Sequence, residues 1–124
     1  MGDNNELKVI IKAKELCEYT LRLTSNCNRY PKKWRFSLVD KMQNKSLEIY
    51  EYLHEANRTD LKAYARERSE LQTKAITHCD ELLFYIELSN KLSIINVKSM
   101  EHWSKMVSDV KHMAIAWRTK DKQR

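Results

Sequence analysis

The sequence predicts an all-α fold, an up-down-up-down four-helix bundle, on three observations. Gly2 and Pro31 are the sole glycine and proline in 124 residues, so the tight turns of sandwiches, barrels and Rossmann-type sheets lack the residues that build them. Apolar residues recur at helical rather than alternating spacing over four long stretches. The breaks between those stretches are short and polar, which sets consecutive helices side by side in a single domain, 1–124.

The first helix is expected over about residues 5–24, capped by Asn4 or Asn5, with Leu7, Ile10, Cys17 and Leu21 facing inward. A polar loop follows from Thr24 to Asn28. Pro31 then turns Tyr30 away from helical geometry and opens a second helix over about 32–56. On a wheel of about 100° per residue this helix carries two apolar stripes. Phe36, Val39, Leu47, Tyr50 and Leu53 form one, and Leu38, Met42, Ile49, Tyr52 and Ala56 form the other. A surface helix of a monomeric bundle needs a single stripe. Two stripes predict either a central helix in a tight monomer or a subunit interface, for which Leu38, Met42, Ile49 and Tyr52 are the candidates.

Thr59 or Asp60 is expected to cap a third helix over about 60–90, with Leu61, Ala65, Ala75, Cys79, Leu82, Leu83 and Ile86 on one face. Asn96 caps the fourth, about 97–118, whose apolar face is Val97, Met100, Trp103, Val107, Val110, Ala114 and Trp117. Residues 119–124 read as a frayed, charged tail.

Charge is distributed unevenly. The net +6 divides into +3 over residues 25–58 and +4 over 96–124, with the remainder neutral or slightly acidic. The first basic segment is Arg29, Lys32, Lys33, Trp34 and Arg35, followed by Lys41 and Lys45. The second is Arg118, Lys120, Lys122 and Arg124. The two are expected to meet at one end of the bundle. Cations at a helix start oppose the helix dipole, which points to another use for them. Lys and Arg neutralise phosphates, and Tyr30 and Trp34 either offer bases a stacking surface or seal the bundle end.

Catalytic constellations are weak. No glycine-rich loop exists to cradle a phosphate. Glu51 with His54, and Asp109 with His112, match the spacing of dimetal-bundle ligands, but Glu51, Asp109 and His112 fall on polar faces. His54 reads as a hydrogen-bonded histidine on the core side. His78 and Cys79 are adjacent and diverge by about 100°. Cys27 is either a reactive thiol among cations or an unused surface thiol. Three cysteines without CxxC spacing fit a reducing, cytoplasmic setting. The most apolar stretch, Leu82 to Ile95, is too short and too charged to span a bilayer. No catalytic residue, metal or cofactor is expected.

Several segments resemble a known family: Glu6 to Ile10, Tyr30-Pro31-Lys32-Lys33-Trp34-Arg35-Phe36 with Gln43-Asn44, Glu55-Ala56-Asn57, Leu82 to Tyr85, and Met113 to Trp117. Together they look like the accessory variability determinants of diversity-generating retroelements, four-helix-bundle proteins related to those encoded in intervening sequences of bacterial large ribosomal RNA genes. The resemblance implies a homopentamer that associates with the element's reverse transcriptase and with template-repeat RNA and its cDNA. In that setting the chain supports mutagenic cDNA synthesis without being the polymerase. Carried onto this sequence, it puts RNA or reverse-transcriptase contact at Lys32, Lys33 and Arg35.

Overall fold

The computed structural model describes residues 4–124, with side chains described from Lys8 onward. The cap expected at Asn4 or Asn5 and the placement of Leu7 lie outside those described side chains. Four helices form the fold: α1 (Asn4–Ser25), α2 (Asp40–Arg58), α3 (Ala65–Lys91) and α4 (Val97–Gln123). A 3-10 turn (Lys32–Trp34) and a π turn (Arg35–Val39) lead into α2. Each helix packs on the next, and α4 returns to α1, closing a four-helix bundle.

Alternating direction defines two ends. At the head, α1 and α3 finish while α2 and α4 begin. At the foot, α2 and α4 finish while α3 begins. The expectation that the two basic segments meet is therefore wrong. The start of α2 lies at the head, where Arg29 Nη1 reaches Ser99 Oγ at 3.5 Å. The end of α4 lies at the foot, where Arg118 Nη1 donates to Thr73 Oγ1 at 3.0 Å.

The core stripe of α4 is as expected at Trp103, Val107, Val110, Ala114 and Trp117, all buried, and Asn96 Oδ1 accepts from the Ser99 amide at 2.7 Å. Val97, by contrast, is exposed. In α1 the stripe is rotated from expectation. Ile10 is buried as expected, but the stripe runs Val9, Ile10, Ala13, Leu16, Thr20 and Thr24, leaving Cys17 and Leu21 at its margin. The two threonines belong there because their hydroxyls are satisfied internally. Thr20 Oγ1 accepts from Trp103 Nε1 at 3.1 Å, and Thr24 Oγ1 donates to the Thr20 carbonyl at 2.7 Å.

Across the π turn and α2 a single stripe is buried: Leu38, Val39, Met42, Ser46, Ile49, Leu53 and Ala56. This corrects the interface assignment. Met42 and Ile49 are fully buried within the subunit itself, so neither can meet a second copy, and Leu38 is buried with only its edge on an apolar groove. Ser46 completes the stripe, its hydroxyl donating to the Gln43 carbonyl at 2.9 Å while its own carbonyl accepts from Cys17 Sγ at 2.8 Å. Tyr50 and Tyr52 are half-buried at the flanks, with Lys14 and Lys74 lying over their rings at 5.9 and 5.6 Å. Lysine stems shielding flanking rings produce the look of a second stripe.

α3 begins at Ala65 rather than at residue 60. Asp60 holds a separate turn, its carboxylate accepting from the Ala63 amide at 2.8 Å. Ala65 is consequently exposed. The expected frayed tail is instead helical through Gln123. Asp121 is bound there by Arg68 (2.8 Å from Nε, 3.1 Å from Nη2) and by Gln72 Nε2 (2.8 Å). The ion pair is almost wholly buried, and the guanidinium also lies 4.9 Å from the Trp117 ring. At the other end, α3 closes through Ser93 at φ 62°, with the Ile94 amide returning to the Ser89 carbonyl at 2.8 Å. That is a helix stop usually given to glycine.

Candidate nucleic-acid interface

The head is organised by the loop from Asn26 to Pro31. Asn26 folds it: its side-chain oxygen accepts from the Asn28 amide at 2.9 Å, and its carbonyl accepts from the amides of Arg29 and Tyr30 at 2.9 and 2.8 Å. This drives Tyr30 into the core, edge-on to Trp103 with ring centroids 6.5 Å apart. Pro31 then sits at φ −57° and starts the 3-10 turn, its carbonyl accepting from the Trp34 amide at 3.0 Å. Arg35 to Val39 loosen into a π turn, with the Asp40 amide reaching back to the carbonyls of Arg35 and Ser37.

The result is a group of cations facing solvent. Arg29, Lys32, Lys33, Arg35 and Lys41 are all exposed. Among the described residues, no carboxylate forms an ion pair with any of them: Arg29 touches Ser99, and Lys33 Nζ lies 5.4 Å from the Trp34 ring. By topology Lys91, at the end of α3, and Lys98, in the first turn of α4, stand at the same end of the bundle. Sequence reading passed over both because chain separation hides them from the Arg29–Lys41 segment.

Two cavities of about 300 Å³ each flank the π turn. One is polar, lined by Ser25, Cys27, Lys32, Arg35, Asp40 and Gln43 among others. Gln43 Nε2 ties its wall to α1 by donating to Thr24 Oγ1 at 2.9 Å. The other is apolar, lined by Trp34, Leu38, Lys41, Tyr85, Leu88 and Leu92.

Neither aromatic singled out from the sequence stands free here. Tyr30 is buried, and Trp34 is half-buried in the apolar groove. Phe36, placed on an inner stripe by the helical wheel, is instead 85% exposed. The 3-10 and π turns advance the chain by different angles from an α-helix, so a wheel carried through them loses its phase.

Other candidates fall away from this site. Lys45 lies on the α2–α3 flank, with Nζ 2.9 Å from Glu81. That hydrogen bond raises the ammonium pKa and lowers that of the Glu81 carboxyl. Lys45 is therefore committed within the subunit and not available to a phosphate. His78 shares this flank, 3.5 Å from Glu48 and 3.2 Å from Glu81. Arg118, Lys120, Lys122 and Arg124 stand at the foot; Arg118 is engaged by Thr73, and Asp121 among them is matched by Arg68. His54, expected on the core side, is exposed and stacks on Tyr50 at 5.6 Å. Asp109 pairs with Lys105 at 3.1 Å, while Glu51 and His112 are exposed. Among the described residues no group of three His, Cys, Asp or Glu side chains could hold a metal ion. No described helix is long and apolar enough to cross a membrane.

No protein-family model matches the sequence, and no curated protein matches it. A solved structure does share its fold: a protein with unknown function from the S23 ribosomal protein family of Bacteroides thetaiotaomicron VPI-5482, determined by crystallography at 1.70 Å. The two superpose with a TM-score of 0.81 over 93% of this chain and 98% of that one, at 14% sequence identity. At that identity the likeness is one of fold, and the chain has the four-helix bundle seen in that S23-family protein.

Proposed function

We propose that this chain is a non-catalytic, RNA-binding accessory subunit of a diversity-generating retroelement, working in the cytoplasm beside the element's reverse transcriptase. The observation that carries the reading is the cluster Arg29, Lys32, Lys33, Arg35 and Lys41. It is exposed, free of carboxylate partners among the described residues and spread over the loop, the 3-10 and π turns and the first turn of α2. Long, flexible cations kept unpaired at a helix start oppose the local dipole, and they serve a polyanion best. The subunit binds template-repeat RNA, supports cDNA synthesis on it and contributes no chemistry of its own. The homopentamer implied by the family resemblance belongs to this proposal. Its contacts draw on apolar residues that remain exposed, such as Ile11, Leu47 and Phe84, and not on the buried Met42 and Ile49.

The fold likeness favours a second reading, an intervening-sequence-type helical bundle without a reverse transcriptase partner, in which the same basic cluster would meet RNA. Binding of a structured RNA measured across a salt series tests what the two share. Removing one cation–phosphate pairing should flatten the plot of log K against log salt by about 0.7–0.9. Charge reversal of Lys32, Lys33 and Arg35 should therefore cut the slope by about 2–3. An unchanged slope refutes RNA contact at the head. Copurification of a reverse transcriptase encoded beside the gene separates the two readings.

A further inference from the structure

We infer that Phe36 is a stacking platform for an unpaired RNA base, so that the head binds single-stranded rather than duplex segments. The inference rests on the RNA-binding reading above and gives that site its substrate class. Phe36 is 85% exposed, the most exposed large apolar side chain among the described residues. A lone exposed apolar residue is ordinary on a protein surface, but the surroundings of this one are not. Lys32, Lys33 and Arg35 precede it within about one turn and make no ion pair among the described residues. Its chain neighbours line different cavities, Arg35 the polar one and Ser37 the apolar groove, so Phe36 sits in the chain between the two while lining neither.

Tyr30 and Trp34, the other aromatics of this segment, are buried and half-buried. Phe36 is thus the ring of this segment left with a face open to solvent. The π turn that presents it is a rare geometry, frequently found at functional sites. An open ring in the same short segment as these exposed cations matches a nucleotide with its base on the ring and its neighbouring phosphates on the lysines and arginine. A duplex can meet the cations but keeps its bases inside its own stack, away from the ring.

The test is fluorescence anisotropy with a labelled single-stranded RNA and a hairpin duplex of the same length. The proteins are wild type, Phe36→Ala, Phe36→Trp, and Lys32→Glu with Lys33→Glu. Phe36→Ala should weaken single-strand binding about 5- to 150-fold, with duplex binding nearly unchanged, and Phe36→Trp should restore it. Circular dichroism should show Phe36→Ala folded, since its ring leaves no cavity behind. If Phe36→Ala binds the single strand as well as wild type while charge reversal weakens both RNAs, the stacking role is refuted and the RNA reading survives. If charge reversal also changes nothing, both fall. If Phe36→Ala reduces the assembly's mass by light scattering without altering single-strand affinity per chain, Phe36 is a protein contact and the inference is overturned.

Discussion

Asp121→Ala probes how far the last turn of α4 belongs to the folded core. In the native chain the carboxylate accepts from Arg68 Nε at 2.8 Å, Arg68 Nη2 at 3.1 Å and Gln72 Nε2 at 2.8 Å. Arg68 and Asp121 side chains are only 8% and 7% exposed. Removing the carboxylate leaves a guanidinium buried against Trp117, with the Thr59 carbonyl at 3.2 Å among its remaining partners. Breaking such a pair from one side costs about 3–5 kcal/mol. An acid near a helix C-terminus opposes the dipole, and its removal returns about 0.5 kcal/mol. The expected net destabilisation is about 3 kcal/mol, a fall in Tm of roughly 12 °C for a chain of this size. Urea denaturation followed by circular dichroism reads it directly. A change below about 0.5 kcal/mol, the value for an ordinary surface substitution, would refute the reasoning. The double variant Arg68→Met with Asp121→Leu should recover most of the stability, because an apolar pair of similar volume carries no stranded charge.

Ser93→Gly should raise stability by about 0.5–1 kcal/mol in the same assay, since φ 62° strains any residue with a Cβ; no gain would show the turn to be unstrained. Cys27 is the exposed thiol of three, while burial pushes Cys17 to about 11 and Cys79 to about 12. A thiol reagent at mild pH should therefore label one thiol per native chain quickly and all three only in urea. Burial also pushes Tyr30 to about 12. An acid whose folded pKa is raised favours the folded state below its unfolded value, and that advantage is lost as pH climbs toward the folded one. Stability should thus decline from about pH 9, as unfolded thiols ionise, with a further decline above about pH 10 from Tyr30. A stability curve flat to about pH 11 would contradict this.

Legibility in the sequence followed the chemistry of the core positions. α4 could be read directly because its inward positions from Trp103 to Trp117 are all apolar and Asn96 caps it with its own side chain. α1 and α2 were misphased where Thr20, Thr24 and Ser46 occupy the core. Hydroxyls satisfied inside a bundle look, in a sequence, like surface. The buried Arg68 and Gln72 concealed the first turn of α3 and the anchored α4 terminus in the same way. At the candidate site, the cations were legible as a charge run and their freedom from carboxylates among the described residues was not. Lys45, drawn into the run by proximity in the chain, is held by Glu81 from another helix. The exposure of Phe36 depends on backbone winding, for which composition carries no signal.

The π turn at Arg35–Val39 makes the aim of the basic ridge a matter of residue count as well as residue type. A π turn amounts to an α-helix with one residue inserted. Deleting one position there would let the segment close as regular helix and swing everything before it by about 100° around the α2 axis. The buried residues from Met42 onward would stay where they are, while Lys32, Lys33 and Arg35 would face a different neighbour. Among proteins of this fold, a length difference of one residue at this point is thus a route to a new partner that leaves the core of α2 unaltered.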